Sequence, residues 1–106
     1  MTPILYHDGV EYYLINSAHV SKVLIDNEVH EVNGNVLLYA RKPTNSGSMW
    51  GIDDILIKFN GREIELPNAV WIYGSVKTLQ NIDVPCKKYL QNIPSELTLI
   101  IFPNCR

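Results

Sequence analysis

The fold class follows from residues 55–66, which read ILIKFNGREIEL. The central Asn-Gly tolerates the positive φ angles of a tight primed turn, and the residues after it alternate between acidic and apolar side chains. A two-residue turn places Ile57 opposite Ile64 on one face and Lys58 opposite Glu63 on the other. Because both faces support the same alignment, the stretch predicts an antiparallel β-hairpin.

Similar turn signals recur towards the N-terminus. HDGV at residues 7–10 and IDNE at residues 25–28 each lie between runs rich in Val, Ile, Leu and Tyr, so each predicts a further hairpin. Asn33-Gly34 follows closely and predicts another reversal, which would place Leu38 opposite Val29. The chain is therefore expected to form an antiparallel meander of short hairpins.

One helix is expected before the last strand, over about residues 84–92. Its apolar positions recur at the helical spacing i, i+3, i+4 and i+7: Cys86, Tyr89, Leu90 and Ile93. Residues 97–102 then read as a strand that is apolar on both faces, as in a covered central strand. We expect one mainly β domain over residues 1–106, forming a small barrel or sandwich. A two-layer α+β arrangement is the alternative.

Composition narrows the function classes. The chain has 106 residues, of which 46% are hydrophobic and 19% charged, as in globular domains. A formal net charge of -2 argues against nucleic acid or an anionic membrane as partner. Cys86 and Cys105 are too few for a stapled secreted domain, and neither a signal peptide nor a membrane-spanning run is visible. A cytoplasmic location is expected.

The first candidate binding element is the loop at residues 42–51. It is polar for most of its length and ends in Met49 and Trp50. Long loops in compact domains are often functional, and an aromatic side chain there can anchor a partner or close a pocket. Trp50 can equally fold back as a plug over an open end of the sheet. Arg41, just before the loop, completes the candidate surface.

Pro67-Asn68 is expected to end the 55–66 hairpin, and Ala69 to Tyr73 to start another strand. Trp71 and Tyr73 form a second candidate binding element, because they alternate on one face of that strand. They can act as a stacking platform for bases or sugars, or pack in the core. The scarcity of basic residues favours the core.

Catalytic and metal-binding patterns are weak. Asp53-Asp54 offers two carboxylates, but neighbours in a strand point to opposite faces. The three histidines, His7, His19 and His30, lack the spacing of a metal site. We therefore name no catalytic residue, metal ligand or cofactor.

The sequence favours a non-catalytic protein-interaction module, for example a small regulator or inhibitor of another protein. Brevity and missing catalytic motifs are typical of viral or mobile-element accessory proteins. It would bind another protein, or itself, through the 42–51 loop or a sheet edge. One alternative is a β-barrel that binds a nucleotide or sugar between Arg41, Trp50, Trp71 and Tyr73. The other is a small enzyme using Asp53 or Asp54 with a histidine.

Overall fold

The structure, a computed structural model, describes residues 4–43, 49–74 and 99–103. These residues form eight strands: β1 (Ile4–His7), β2 (Val10–Ala18), β3 (Lys22–Ile25), β4 (Glu28–Glu31), β5 (Val36–Ala40), β6 (Trp50–Phe59), β7 (Arg62–Tyr73) and β8 (Leu99–Pro103). All eight belong to one sheet, in the order β1-β2-β5-β6-β7-β8-β3-β4. The chain is mainly β, as predicted, and the sheet is open rather than closed into a barrel. The helix predicted over about 84–92 lies outside the described residues, as do both cysteines.

Three of the predicted turns are confirmed as two-residue hairpin turns. Both central residues of each turn have positive φ, between 51° and 77°: Asp8 and Gly9, Asp26 and Asn27, and Asn60 and Gly61. Positive φ at both centres is the type I′ geometry, whose twist matches that of the flanking strands. Because the turns fix the registers, the predicted pairs Ile57–Ile64 and Lys58–Glu63 are also found.

The predicted pairing of Leu38 with Val29 is wrong. β5 lies between β2 and β6, and β4 is the outer strand of the sheet beside β3. The burial explains the difference, because Leu38 is fully buried whereas Val29 is 45% exposed. Both faces of β5 are apolar and covered, with Leu38 in one buried cluster and Tyr39 in another, which fits a strand in the middle of the sheet rather than beside the exposed β4.

β8 is the central strand that the sequence predicted. It pairs antiparallel with β7 and parallel with β3, and Leu99, Ile100 and Ile101 are all buried. β7 extends through Pro67 and Asn68, where the sequence predicted a break between two strands. These two residues form a bulge in β7 opposite the single residue Asp54 of β6, and the pairing continues on both sides of it.

The two sheet faces carry separate apolar clusters. The core face holds the larger one, which draws on five strands and includes Val23, Leu38, Ile57, Trp71 and Ile101. The opposite face, called the tyrosine face here, holds a smaller cluster of three buried residues, Tyr12, Tyr39 and Leu56. Partly buried apolar side chains from β1, β2 and β5 pack against this cluster.

Side-chain contacts show that the sheet curls at both ends. At one end, the Asn60 side-chain amide donates to the Glu31 carbonyl at 2.8 Å, and its oxygen accepts from the Asn33 amide at 2.8 Å. These bonds bring the β6–β7 turn against the end of β4. At the other end, His7 of β1 contacts Glu63 of β7, four strands along the sheet. The β1–β2 ribbon therefore folds over the tyrosine face.

Candidate functional site

The structure separates the residues of the predicted binding surface. Trp71 is 2% exposed and belongs to the core face cluster, and Tyr73 is half-buried against that cluster. Met49 and Trp50 are half-buried, and the Met49 carbonyl accepts a 2.7 Å hydrogen bond from the Tyr73 amide. Arg41 is exposed, with its guanidinium 5.7 Å from the centre of the Tyr12 ring.

The described pockets near these residues are small. One, of about 150 Å³, lies between the start of β6 and the residues after β5, with Lys42, Pro43 and Trp71 in its lining. Another, of about 130 Å³, lies beside Tyr12 and Glu65. Pockets for drug-sized ligands typically start at roughly 300 Å³. Of the predicted binding residues, Trp71 alone lines either pocket.

Asp53 and Asp54 lie in β6 at the bulge, opposite the extra residue of β7. Asp53 accepts hydrogen bonds from the amides of Lys42 at 3.0 Å and Asp54 at 2.7 Å. Asp54 accepts from the amide of Asn68, which has a φ of 49°. Each carboxylate thus satisfies backbone donors at an irregular point of the sheet, where no strand partner is available. The structure places neither of them with a histidine.

The most concentrated charge cluster of the described residues surrounds His7, which lies at the end of β1. Its Nδ1 is 2.8 Å from a carboxylate oxygen of Glu63, and its Nε2 is 3.1 Å from one of Glu65. Asp8, in the turn, lies 3.5 Å from Nε2. The Lys58 ammonium approaches the other oxygen of Glu63 at 4.0 Å. Both imidazole nitrogens therefore face carboxylates, the arrangement that suits a doubly protonated ring.

The strand geometry explains how these groups meet. Glu63 and Glu65 are two residues apart on β7, so both side chains project on the same face. Glu65 is the cross-strand partner of Leu56, which places the pair on the tyrosine face. His7 reaches them because the β1–β2 ribbon folds over that face.

The cluster changes the protonation of its members. The hydrogen bond to Glu63 raises the pKa of His7 above 6.5, the effect of burial lowers it, and the charges of Asp8, Glu65 and Glu63 raise it further. Burial raises the pKa of Tyr12 above 10, with a further increase from Glu65 and an opposing decrease from Arg41. His7 thus carries its positive charge to a higher pH than an isolated imidazole.

The cluster also has the spacing of a cation site, because one ligand atom from each of His7, Asp8 and Glu65 lies within 4.8 Å of the others. We assign no metal to it. Two of the three groups, Asp8 and Glu65, are exposed, and exposed acidic groups commonly lie together without an ion. Asp8 is 83% exposed, so little holds it in a fixed position.

The two outer strands of the sheet differ in charge. β4 carries Glu28 and Glu31, and acidic residues on an edge discourage pairing with another chain. In β1, residues 4–6 are uncharged, and two of their side chains are exposed, Ile4 at 44% and Tyr6 at 68%. On the side away from β2, no described strand pairs with β1.

Comparison with known proteins assigns no family. A scan against protein-family models found no matching family, and searches of curated proteins and of solved structures found no similar protein. No helix among the described residues is both long and apolar enough to cross a membrane.

Sequence reasoning missed the His7 cluster. Its signal was the pair Glu63 and Glu65 on one face, opposite a single lysine, Lys58. The missing information was that β1, 56 residues from Glu63, folds onto that face.

Proposed function

We propose that this protein is a non-catalytic interaction module whose docking element is the outer edge of β1, where no described strand pairs, and that its partner there is a second copy of the chain. The observation that supports the proposal most directly is the pair of exposed apolar side chains, Ile4 and Tyr6, on an outer strand without charge at residues 4–6. Native proteins usually block such an edge with charge, proline or a covering segment.

The backbone of β1 is suited to pairing. In a hairpin with a two-residue turn, the residues flanking the turn form a hydrogen-bonded pair, and such pairs alternate along the strands. His7–Val10 and Leu5–Tyr12 are therefore the bonded pairs. It follows that the amides and carbonyls of Ile4 and Tyr6 point away from β2, towards the outer edge.

A second copy fits this edge in one antiparallel register. With Leu5 opposite Leu5 of the other copy, each Ile4 faces a Tyr6, and the outward backbone groups of these two residues bond to each other. The arrangement is self-complementary about a two-fold axis, as in most homodimers. The edge is short, so we expect a weak dimer that depends on concentration. The β4 edge is less suited to pairing, because the carboxylates of Glu28 and Glu31 would lie close to those of the second copy and repel them.

The wider role remains as the sequence predicted it: a small cytoplasmic regulator or inhibitor, in which the same edge or the 42–51 loop contacts another protein. Two cysteines in 106 residues agree with a reducing compartment.

Sedimentation velocity over a wide concentration range tests the docking proposal. The informative variant is Tyr6→Lys, which adds a charge at an exposed edge position and should leave a folded monomer. The matched control is Val29→Lys on the β4 edge, where the side chain is 45% exposed. We expect wild type and Val29→Lys to dimerise and Tyr6→Lys to stay monomeric. A wild-type monomer at every concentration, or equal dimerisation by Tyr6→Lys, would refute the proposal.

A further inference from the structure

We propose that protonated His7 clamps the β1–β2 ribbon onto β7, and that loss of this proton loosens the β1 edge and weakens its pairing with a second copy. The clamp itself is argued from the His7 contacts, and only its effect on pairing rests on the proposed function.

The clamp joins two distant parts of the sheet. β1 has four residues and is hydrogen-bonded to β2 alone among the described strands. The His7 side chain reaches beyond β2, β5 and β6 to Glu63 and Glu65 on β7, at 2.8 and 3.1 Å. Leu5 and Val10 add apolar packing on the tyrosine face. The polar contacts that fix the end of β1 on β7 thus depend on one imidazole.

Charge decides whether these contacts attract. The imidazolium has a proton on each nitrogen, so it can serve Glu63 and Glu65 together. The neutral ring has one proton, and its unprotonated nitrogen would then face a carboxylate. If Nδ1 keeps its proton for Glu63, the Nε2 lone pair faces Glu65 at 3.1 Å and Asp8 at 3.5 Å.

The surrounding charges do not replace the lost proton. The charged and titratable groups that face His7 or its carboxylate partners come from four segments: Asp8 of the first turn, Tyr12 of β2, Lys58 of β6, and Glu63 and Glu65 of β7. Arg41, after β5, acts on Tyr12. Lys58 approaches Glu63 alone, at 4.0 Å. Among the described residues, His7 is the one basic group in an ion pair with Asp8 or Glu65. Deprotonation therefore leaves these two carboxylates without an opposite charge.

The direction of the pH effect follows from the sign of the shift. The pKa of His7 is raised in the folded protein, chiefly by the hydrogen bond to Glu63. The contribution of the clamp is therefore complete below the unfolded value of 6.5 and is lost as the pH rises through the higher folded value. The β1 edge should be best ordered at about pH 6 and loosest at about pH 8.5.

The clamp is tested by amide hydrogen exchange of β1 and β2, in the monomeric Tyr6→Lys background so that pairing does not contribute. After correction for intrinsic rates, we expect protection at Leu5 and Tyr12 to fall about two- to fivefold from pH 6 to pH 8.5, the scale of an exposed ion pair. His7→Gln should abolish this pH dependence. The matched control is His19→Gln, because His19 contacts the Asn35 side chain and no carboxylate; it should retain the dependence.

Glu63→Gln distinguishes a clamp that depends on charge from a purely structural role of His7. The amide still fills the site but lacks the charge, so the pKa of His7 measured by NMR should fall, and the loosening of β1 should shift to lower pH with it. Protection that does not vary with pH, or that varies equally in His7→Gln, would overturn the clamp.

Sedimentation of the wild type at the two pH values then tests the effect on pairing. We expect a dissociation constant about two- to fivefold higher at pH 8.5. If β1 protection varies with pH but the wild type is monomeric at both pH values, the docking proposal alone is refuted. A dimer with the same affinity at both values, in a protein whose β1 protection does titrate, refutes the regulatory link. A dimer whose β1 protection does not titrate refutes the clamp.

Discussion

Replacing Gly51 by alanine tests how closely β6 and β7 approach each other over the core. Gly51 is the cross-strand partner of Trp71. A Cβ at residue 51 would lie 2.7 Å from Nε1 of the indole and 2.9 Å from Cε2 and Cζ2. Carbon atoms in contact normally stay about 3.5–4.0 Å apart. The indole has little room to move aside, because Trp71 is 2% exposed within the core face cluster.

The expected magnitude combines two effects. Forcing extra volume into a well-packed core costs about 1–3 kcal/mol. Alanine also restricts the unfolded chain more than glycine does, and this stabilises the folded state by about 0.4–1 kcal/mol where the backbone tolerates alanine. We expect Gly51→Ala to lower the free energy of unfolding by about 1–2 kcal/mol. In urea, with a slope of about 1–2 kcal/mol per molar for a small domain, the midpoint should fall by about 1 M.

The assay is urea unfolding followed by tryptophan fluorescence and circular dichroism, repeated in a Trp71→Phe background. Phenylalanine removes the second ring of the indole, so the added methyl should meet less obstruction. The loss caused by Gly51→Ala should then shrink to less than half, an interaction energy of about 1 kcal/mol between the two sites. Equal losses in both backgrounds, or an unchanged midpoint for Gly51→Ala alone, would refute the reasoning.

Two further predictions concern side chains that bind backbone groups, and both are measured by urea unfolding. Asp54→Ala removes the acceptor of the Asn68 amide at 2.8 Å and should cost about 1 kcal/mol, whereas Asp54→Asn, which retains an acceptor oxygen, should cost less than half of that; equal costs would exclude the hydrogen bond as the cause. Asn60→Gly keeps the turn but loses the hydrogen bonds to Glu31 and Asn33, so it should lower the free energy of unfolding by about 1 kcal/mol. Asn60→Ala should lower it by about 2 kcal/mol, because alanine at a φ of 51° is also strained. A tolerated Asn60→Ala would contradict both contributions.

Local features of the fold were predictable because their causes are local. Asp-Gly, Asp-Asn and Asn-Gly pairs adopt positive φ at low cost, so the three turns and the registers of their hairpins followed from the sequence. The core position of Trp71 also followed, from the alternation of its strand and the lack of nearby basic residues.

The order of the strands was not predictable in this way. An alternating pattern shows which face of a strand is apolar but not which strand lies beside it. β8 carries apolar residues on both faces, so the sequence indicated that it is covered without identifying its neighbours. The His7 cluster depends on that order, and none of its residue spacings follows a known motif. The bulge at Pro67 and Asn68 was missed because the sequence predicted that one strand ends there and another begins at Ala69.

The parallel pairing of β3 with β8 affects how the protein is made. β3 and β4 precede residue 32, yet among the described strands the one that pairs this hairpin with the rest of the sheet is β8, which starts at Leu99. During synthesis on the ribosome, most of the chain must be made before this hairpin can pair with β8. Such distant pairing is entropically costly to close and slows folding. Until β8 emerges, the apolar side of the early hairpin, including Val23 and Ile25, lacks its final cover, and exposed apolar surface of this kind favours aggregation.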